Sequence, residues 1–556
     1  MNAPYDHQEA IELRAELVEC QWQLQTLKSS FRYQLGDAIV SSFLAGGRGR
    51  FVPLISAIRR GRALMTSSAI RKDLFSGLPT QYFQWDGDTP SNSELKRLKA
   101  YIRRLARDPS NLSPMPEFSS RWTSLAAELG REYASAIVDG YPLPPKSVDI
   151  FDGADTKRTL PARVLYVSRH QASMIRNGYA RRTREIVRQL ATLGLQLSVG
   201  VTSMAVGRYG RFEGIEEIGL APIEGGVGLR SYVEALARNI EDVALRNKSE
   251  IIHAASNYLV GLASIVAARR IRIPCLYEIR GLWELTRLEF DRGFSSSLGF
   301  QFQSAMERFC ADEASALVVG SEGIADELYR RGMKRRHFHL APSGGAVLTD
   351  VPQGAVDRWR SVIPRDSKVL GYAGSITRYE GFATLAAALA KLVAQDQAYY
   401  LLILGDGEFR RSAEKLFFDA GLGERTLFAG RTSPNEVAAA YRVMDLAVYP
   451  RDSAPVTRVV EPLKPVEALA SGVPVLVTDL PPLIGLRHQC PGVYGFPPGD
   501  SLELANRVIE FFRMPLEDRY EVGQQAKKWV EQNRSWRKTA TTILQAYTES
   551  FKNDRI

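Results

Sequence analysis

The sequence predicts an α/β chain: two facing Rossmann-like domains behind an amino-terminal helical, coiled-coil extension. Three observations carry this prediction. From Arg163 onward, short β-branched runs alternate with helical periods. The alternation occurs twice, and a Gly/Pro-rich stretch, APSGGAVLTDVPQGAV, separates the two occurrences. Strands alternating with helices mark a parallel sheet wrapped on both faces, and two such sheets face their carboxyl-end loops into one cleft. The length of 556 residues exceeds what one core serves, which is up to about 250–300 residues, so several domains are expected.

The extension comes first, in two parts, 1–45 and 46–160. Ala10, Leu13, Leu17, Cys20, Leu24, Leu27 and Phe31 recur at alternating spacings of three and four, a heptad seam. The seam suits either self-association into a homo-oligomer or docking on the chain's own body. From Gly46 to Lys72 there are seven basic residues and no acidic one. That segment suits either peripheral contact with an anionic membrane or a solvated helix face with snorkelling arginines. A second basic helix, ELKRLKAYIRRLARD, and a Pro-rich linker at 141–161 complete the extension.

The first Rossmann-like domain, 161–350, offers strands at 164–168, 197–202, 250–255, 275–280 and 316–321. The second, 351–535, offers strands at 369–374, 399–405, 426–430, 446–450 and 473–479. A final segment, 536–556, has Trp536 on a helical pattern.

Composition narrows the chemistry. A balance of 72 Lys+Arg against 62 Asp+Glu gives +10, which favours anionic partners. The cations show no interleaved aromatic platform, so a nucleic-acid partner is not expected. Four scattered cysteines form neither a disulfide framework nor a zinc site, which fits a reducing cytoplasm. The acidic, polar first residues and the lack of a long apolar run predict neither export nor a membrane span, leaving at most peripheral placement at the inner face. Neither G-x-G-x-x-G nor a P-loop opens either half, which argues against NAD chemistry and nucleotide hydrolysis. Six histidines without H-E-x-x-H or an Asp/His cluster predict no metal. Small residues and arginines stand instead at expected helix starts: Asn177-Gly178-Tyr179-Ala180 with Arg181 and Arg182, and later Gly374 and Ser375. A Gly-opened helix terminus lets backbone N–H groups approach a phosphate, so a diphosphate is the expected guest.

The block 163–545 resembles glycosyltransferase family 4, retaining enzymes of GT-B architecture that use nucleotide sugars. The resemblance is carried in order by NGYARRT, HAASNYLVGLASIVAARR, YEIRGLWE, SEGIADELYRRG, APSGG, YAGSITRYEG, LGDGEFR, FAGRTSPNEVAAAYRVMDLAVYPR and EPLKPVEALASGVPVLVTD. It implies transfer of a sugar from a nucleoside-diphosphate donor to a glycan, lipid-linked or protein-linked acceptor, in surface polysaccharide or glycoconjugate synthesis, with neither cofactor nor metal required. It places Glu467 at the family's second signature glutamate, on the ribose, and Gly430 and Arg431 by the nucleobase. The first signature glutamate falls on Val459, and the usual diphosphate-gripping Arg and Lys fall on Ser375 and Glu380. A subset of the family shares Tyr379-Glu380-Gly381, Pro450-Arg451 and Pro462-Leu463-Lys464-Pro465. Arg451 and Lys464 are therefore expected to supply the missing charge, with Arg458 as helper. In the first domain the resemblance implies catalytic roles for His253, Arg280 and Glu278 and acceptor binding by Trp283 and Glu284, with Trp283 equally suited to a core. The alternatives are a non-catalytic GT-B scaffold acting through its coiled coil and a nucleotide-sugar epimerase.

Overall fold

The computed structural model describes residues 160–174, 177–221, 229–296, 298–335, 337–346 and 351–553. The heptad seam, the basic stretch 46–72 and the second basic helix lie outside the described residues. The chain divides into two compact units; one comprises residues 140–223, 236–292 and 307–556 and holds two α/β lobes, and the other includes 224–235 and 293–306. Among the described residues no helix is long and apolar enough to cross a membrane.

The first lobe is an eight-stranded sheet. Its strands are β1 (Arg163–Ser168), β2 (Gln196–Ala205), β3 (Tyr209–Phe212), β4 (Ile215–Ala221), β5 (Ile251–Ala255), β6 (Cys275–Ile279), β7 (Ala316–Val319) and β8 (His339–Leu340), in the order β3-β4-β2-β1-β5-β6-β7-β8. All pairs are parallel except β3 with β4. The β3–β4 hairpin and the two-residue β8 add to the five strands expected here. They escape the β-branched pattern because YGRF and IEEIGLA are short or carry charges. Strands β1, β5 and β6 are apolar along nearly their whole length because helices cover both of their faces.

The second lobe carries β9 (Lys368–Ala373), β10 (Tyr399–Leu404), β11 (Thr426–Gly430), β12 (Leu446–Tyr449), β13 (Val475–Thr478) and β14 (Val493–Phe496), all parallel, in the order β11-β10-β9-β12-β13-β14. Counted within the lobe this is 3-2-1-4-5-6, the doubly wound order in which ligands bind where the winding reverses. The reversal lies between β9 and β12, and its counterpart in the first lobe lies between β1 and β5.

Five helices matter for the site: α1 (Gly178–Thr192), α2 (Tyr258–Ile271), α3 (Phe382–Gln395), α4 (Lys464–Ala470) and α5 (Trp536–Asn553). Helix α5 follows the second lobe in sequence but packs in the first. Trp536, Ala540, Ile543, Ala546 and Tyr547 join the core built from β1, α1 and β2. The two lobes also meet through turns. Ser321 Oγ donates to the Val459 carbonyl at 2.7 Å, and the Gly345 N–H donates to the Arg534 carbonyl at 2.7 Å.

Candidate active site

The first switch point presents the amino terminus of α1. Asn177 caps it, its side-chain oxygen accepting from the Ala180 N–H at 2.9 Å, as an N-cap residue in extended backbone does. Gly178 and Tyr179 open the helix as expected. A Cβ on Gly178 would lie 3.8 Å from Leu463 of the second lobe, so this terminus faces the segment leading into α4. One turn along, Arg181 Nη1 lies 2.9 Å from Glu467 Oε1 and joins the lobes by an ion pair. That contact is not aligned as a hydrogen bond, so Glu467 Oε1, almost wholly shielded from solvent, has no hydrogen-bond partner. Burial pushes the Glu467 carboxyl above its ordinary value, with Arg181 and Lys464 opposing the shift.

The second switch point is built on Gly374. Its φ is +152°, and a Cβ there would meet the stem of Lys464 at 2.3 Å, so glycine is what lets the lysine cross the end of β9. The expectation that Gly374 and Ser375 open a helix is corrected: a loop and a 3₁₀ turn at Arg378–Glu380 intervene before α3. The cause is Gly381, whose φ of +76° reverses the chain and whose Cα side packs against the Pro450 carbonyl, where a Cβ would overlap at 1.7 Å. The reversal carries Glu380 under the strand ends, 3% exposed.

There Glu380 meets both expected cations. Lys464 Nζ lies 2.7 Å from Glu380 Oε2 and donates to Tyr372 Oη at 2.7 Å and to the Ser375 carbonyl at 3.2 Å. Arg451 Nε stands 3.5 Å from Glu380 Oε1, while its Nη1 donates to the Val460 carbonyl at 3.2 Å. Burial would raise the Glu380 carboxyl, but Lys464 and then Arg451 outweigh it and hold the group below the usual carboxylate range. Two cations on one carboxylate leave a net positive charge beside the Glu467 oxygen. Gly430 ends β11 in left-handed backbone, with its carbonyl accepting from the Gly405 N–H at 2.8 Å. Arg431 is exposed and 3.7 Å from Asp406 Oδ2; Arg458 is exposed and donates to Ser453 Oγ at 2.8 Å. Neither of these two arginines joins the Glu380 cluster.

In the first lobe the three residues expected to be catalytic form an internal network. His253 lies in the middle of β5 rather than at its end and is fully buried, with Nδ1 2.7 Å from Tyr547 Oη and Nε2 3.1 Å from Glu278 Oε2. Glu278, equally buried, also accepts from Arg182 Nε at 2.8 Å, Arg280 Nε at 3.0 Å and Tyr166 Oη at 2.6 Å. Against burial, Arg280 and Arg182 hold the Glu278 carboxyl well below its ordinary value, and burial lowers the His253 imidazole. His253 and Glu278 therefore have no exposed surface. Arg280 donates to the Tyr179 carbonyl at 3.2 Å and to Thr183 Oγ1 at 2.7 Å, which ties the network to the first turn of α1.

The acceptor-side expectations divide. Trp283 is half-buried, with the Arg169 guanidinium 4.8 Å over its ring and Tyr179 edge-on at 6.3 Å, a ring held upright beside the α1 terminus. Glu284 is corrected. It is 1% exposed and ion-paired to Arg331, which also binds Glu327 at 2.8 Å, so it faces the lobe interior. Arg169 and Tyr372 were not among the expected site residues, and the pairing of Arg181 with Glu467 was not anticipated. Arg181 stands one helical step past Gly178-Tyr179 and so carries a signal; Tyr372, inside an apolar strand, carries none.

Twin nucleotide-type lobes whose reversal points face each other define a two-lobed transferase of GT-B architecture. The chain belongs to the family 4-like glycosyltransferases: residues 177–344 match the glycosyl transferase 4-like domain and residues 355–529 match the glycosyl transferases group 1. The 2-deoxystreptamine glucosyltransferase of Streptomyces kanamyceticus is 27% identical over 58% of this chain and 86% of its own. An uncharacterized glycosyltransferase of Methanocaldococcus jannaschii is 26% identical over 33% of this chain, and the match spans 45% of that relative's length. The solved structure of Anabaena HepE in complex with UDP-glucose shares the fold at a TM-score of 0.52 and 17% identity, over 69% of this chain and 98% of that one.

Proposed function

We propose that this protein is a retaining glycosyltransferase that moves a sugar from a nucleoside-diphosphate sugar to a hydroxyl of a glycan or glycoconjugate acceptor in surface-polysaccharide synthesis. The observation that carries the reading is the placing of a buried Glu467 oxygen, ion-paired to Arg181 but accepting no hydrogen bond, beside the net-positive Glu380–Lys464–Arg451 cluster at one reversal point. A carboxylate oxygen that accepts no hydrogen bond, although a guanidinium stands beside it, suits the two ribose hydroxyls as donors. Lys464 and Arg451 then stand where a departing diphosphate gathers charge, and the α1 terminus, capped by Asn177 and opened by Gly178, adds N–H donors from the other lobe. Charge compensation is thereby assigned to side chains and a helix terminus, so transfer is expected to persist in a chelator. Trp283 offers the acceptor a flat apolar face. Residues 46–72 and 10–31 add a basic and a heptad segment for peripheral membrane contact and self-association.

The test is thermal shift and calorimetry with a panel of nucleoside diphosphates and their sugars, followed by NMR of the product's anomeric configuration. Wild type is expected to be stabilised by one nucleotide, with the response lost in Glu467→Ala and Lys464→Ala. Wild-type indifference to every nucleotide would favour the non-catalytic scaffold. Conversion of the donor without an acceptor would favour the epimerase.

A further inference from the structure

Away from the cleft, the edge strand β8 and helix α5 bring three metal-type ligands together. His337 and His339 are two residues apart on extended chain, so their side chains fall on the same side of the edge. Their rings lie 4.9 Å apart, centroid to centroid. Both reach one carboxylate oxygen of α5: His337 Nε2 is 2.9 Å and His339 Nε2 2.7 Å from Glu549 Oε2. The three ligand atoms all lie within 4.8 Å of one another.

The geometry points to a binding site for one borderline divalent cation, of the zinc, cobalt or nickel class, held by His337, His339 and Glu549. Bonds of about 2 Å to a tetrahedral ion set ligand atoms about 3.3 Å apart, so the two nitrogen-to-oxygen distances need to open by about half an ångström, while the two imidazole nitrogens, within 4.8 Å of each other, adjust to the same separation. Two imidazoles and one carboxylate select this class over magnesium or calcium, which prefer all-oxygen sets. The side chains of His337, His339 and Glu549 are 65%, 13% and 32% exposed, which gives the ion an entry path and leaves a coordination position for water. Arg335 donates to the carbonyls of Ala311 at 2.8 Å and Asp312 at 3.1 Å, and the carboxylates of Asp312, Glu549 and Glu313 all act on its charge. It therefore competes with an ion for Glu549 only electrostatically and, among the described residues, makes no hydrogen bond to it. Sequence spacing conceals this site because Glu549 is 210 residues from His339.

The ion would pin the carboxyl-terminal end of α5 to the sheet edge, while Trp536 and Thr539 already hold its other end, the latter by donating to the Pro342 carbonyl at 2.8 Å. The site stands on this cluster alone and does not depend on the transfer reaction.

The experiment titrates Zn²⁺ into the chelator-stripped full chain by calorimetry, with Co²⁺ absorption as a second probe. One ion per chain and a raised Tm are expected. Loss of even an outer-shell partner costs about 10–100-fold in affinity, so His337→Ala with His339→Ala, and separately Glu549→Gln, should weaken binding at least about tenfold. His7→Ala and His488→Ala should leave it unchanged. Unchanged circular dichroism and unfolding in chelator would show that the variants fold. Failure of wild type to bind one ion, or equal binding by the double variant, would overturn the site.

Discussion

At the reversal point of each sheet a buried carboxylate is held by two cations: Glu278 by Arg182 and Arg280 in the first lobe, Glu380 by Lys464 and Arg451 in the second. The two triads differ in saturation. Every guanidinium nitrogen of Arg182 and Arg280 donates to a protein acceptor, among them Ser343 Oγ at 3.0 Å and the Ala341 carbonyl at 2.6 Å. In the second lobe Arg451 Nε is shielded without a hydrogen-bond partner, and so is Glu467 Oε1 beside the triad. A saturated ionic cluster ties elements together; an unsaturated one keeps capacity for a ligand. Burial alone would not separate them, since all members are shielded.

The largest effect expected from this difference is on stability in the first lobe. Glu278→Ala leaves Arg182 and Arg280 facing each other without a counter-charge, and breaking a buried pair this way costs about 3–5 kcal/mol. For a lobe of this size that is a fall in Tm of about 10 °C by calorimetry. A variant that keeps its Tm but loses donor binding would erase the distinction between the lobes.

The second lobe should respond in binding rather than in stability. Glu467→Ala and Lys464→Ala each remove hydrogen bonds to a charged group, about 1.5–3 kcal/mol apiece, and so weaken nucleotide binding about 10- to 100-fold. The same variants should shift Tm less than Glu278→Ala, because Glu380 retains Arg451 and Arg181 can turn to solvent.

Acidification separates the lobes' groups further. The Glu278 and Glu380 carboxyls are lowered in the folded protein, so their stabilisation is complete above the ordinary carboxylate range and is lost only as pH falls through their depressed values. Glu467 is raised, so it takes up its proton at higher pH, and under the proposed ribose role it would lose acceptor capacity while the fold is still intact. Nucleotide binding followed by calorimetry should therefore fade at a higher pH than the acid unfolding midpoint. Coincident midpoints would show that Glu467 does not carry the binding.

How much of this was legible in the sequence depends on distance along the chain. The doubly wound pattern and the α1 start at Gly178 rest on local signals, apolar runs and glycine punctuation, whereas Arg451 and Lys464 were expected through the family resemblance. What brings them together rests on contacts across many residues, such as Glu278 reaching Tyr166 over 112 positions and His253 reaching Tyr547 over 294. The family resemblance placed His253 at the substrate, and the sequence offers no check on that, because a histidine in an apolar strand looks the same whether its ring meets a substrate or a tyrosine from a distant helix. Glu284 misled for a related reason: adjacency in sequence groups it with Trp283, while the helical step between them turns it toward Arg331, 47 positions away. Gly374 was expected to start a helix because the left-handed Gly381 that delays α3 acts through the Pro450 carbonyl, a contact no local pattern records.

The smallest effect tests whether the first-lobe network stays internal. Tyr547→Phe keeps the ring that packs edge-on to His253 at 5.7 Å between centroids and removes only the hydroxyl bound to Nδ1. Losing one buried hydrogen bond costs about 1 kcal/mol, a fall of about 3 °C in Tm. The His253 imidazole keeps its contact with Glu278, so Arg280 and the first turn of α1 should stay in place and nucleotide affinity should be unchanged. If calorimetry instead shows weaker nucleotide binding at an unchanged Tm, the docking of α5 reaches the cleft through His253 and Glu278, and the first lobe's saturated cluster transmits as well as anchors.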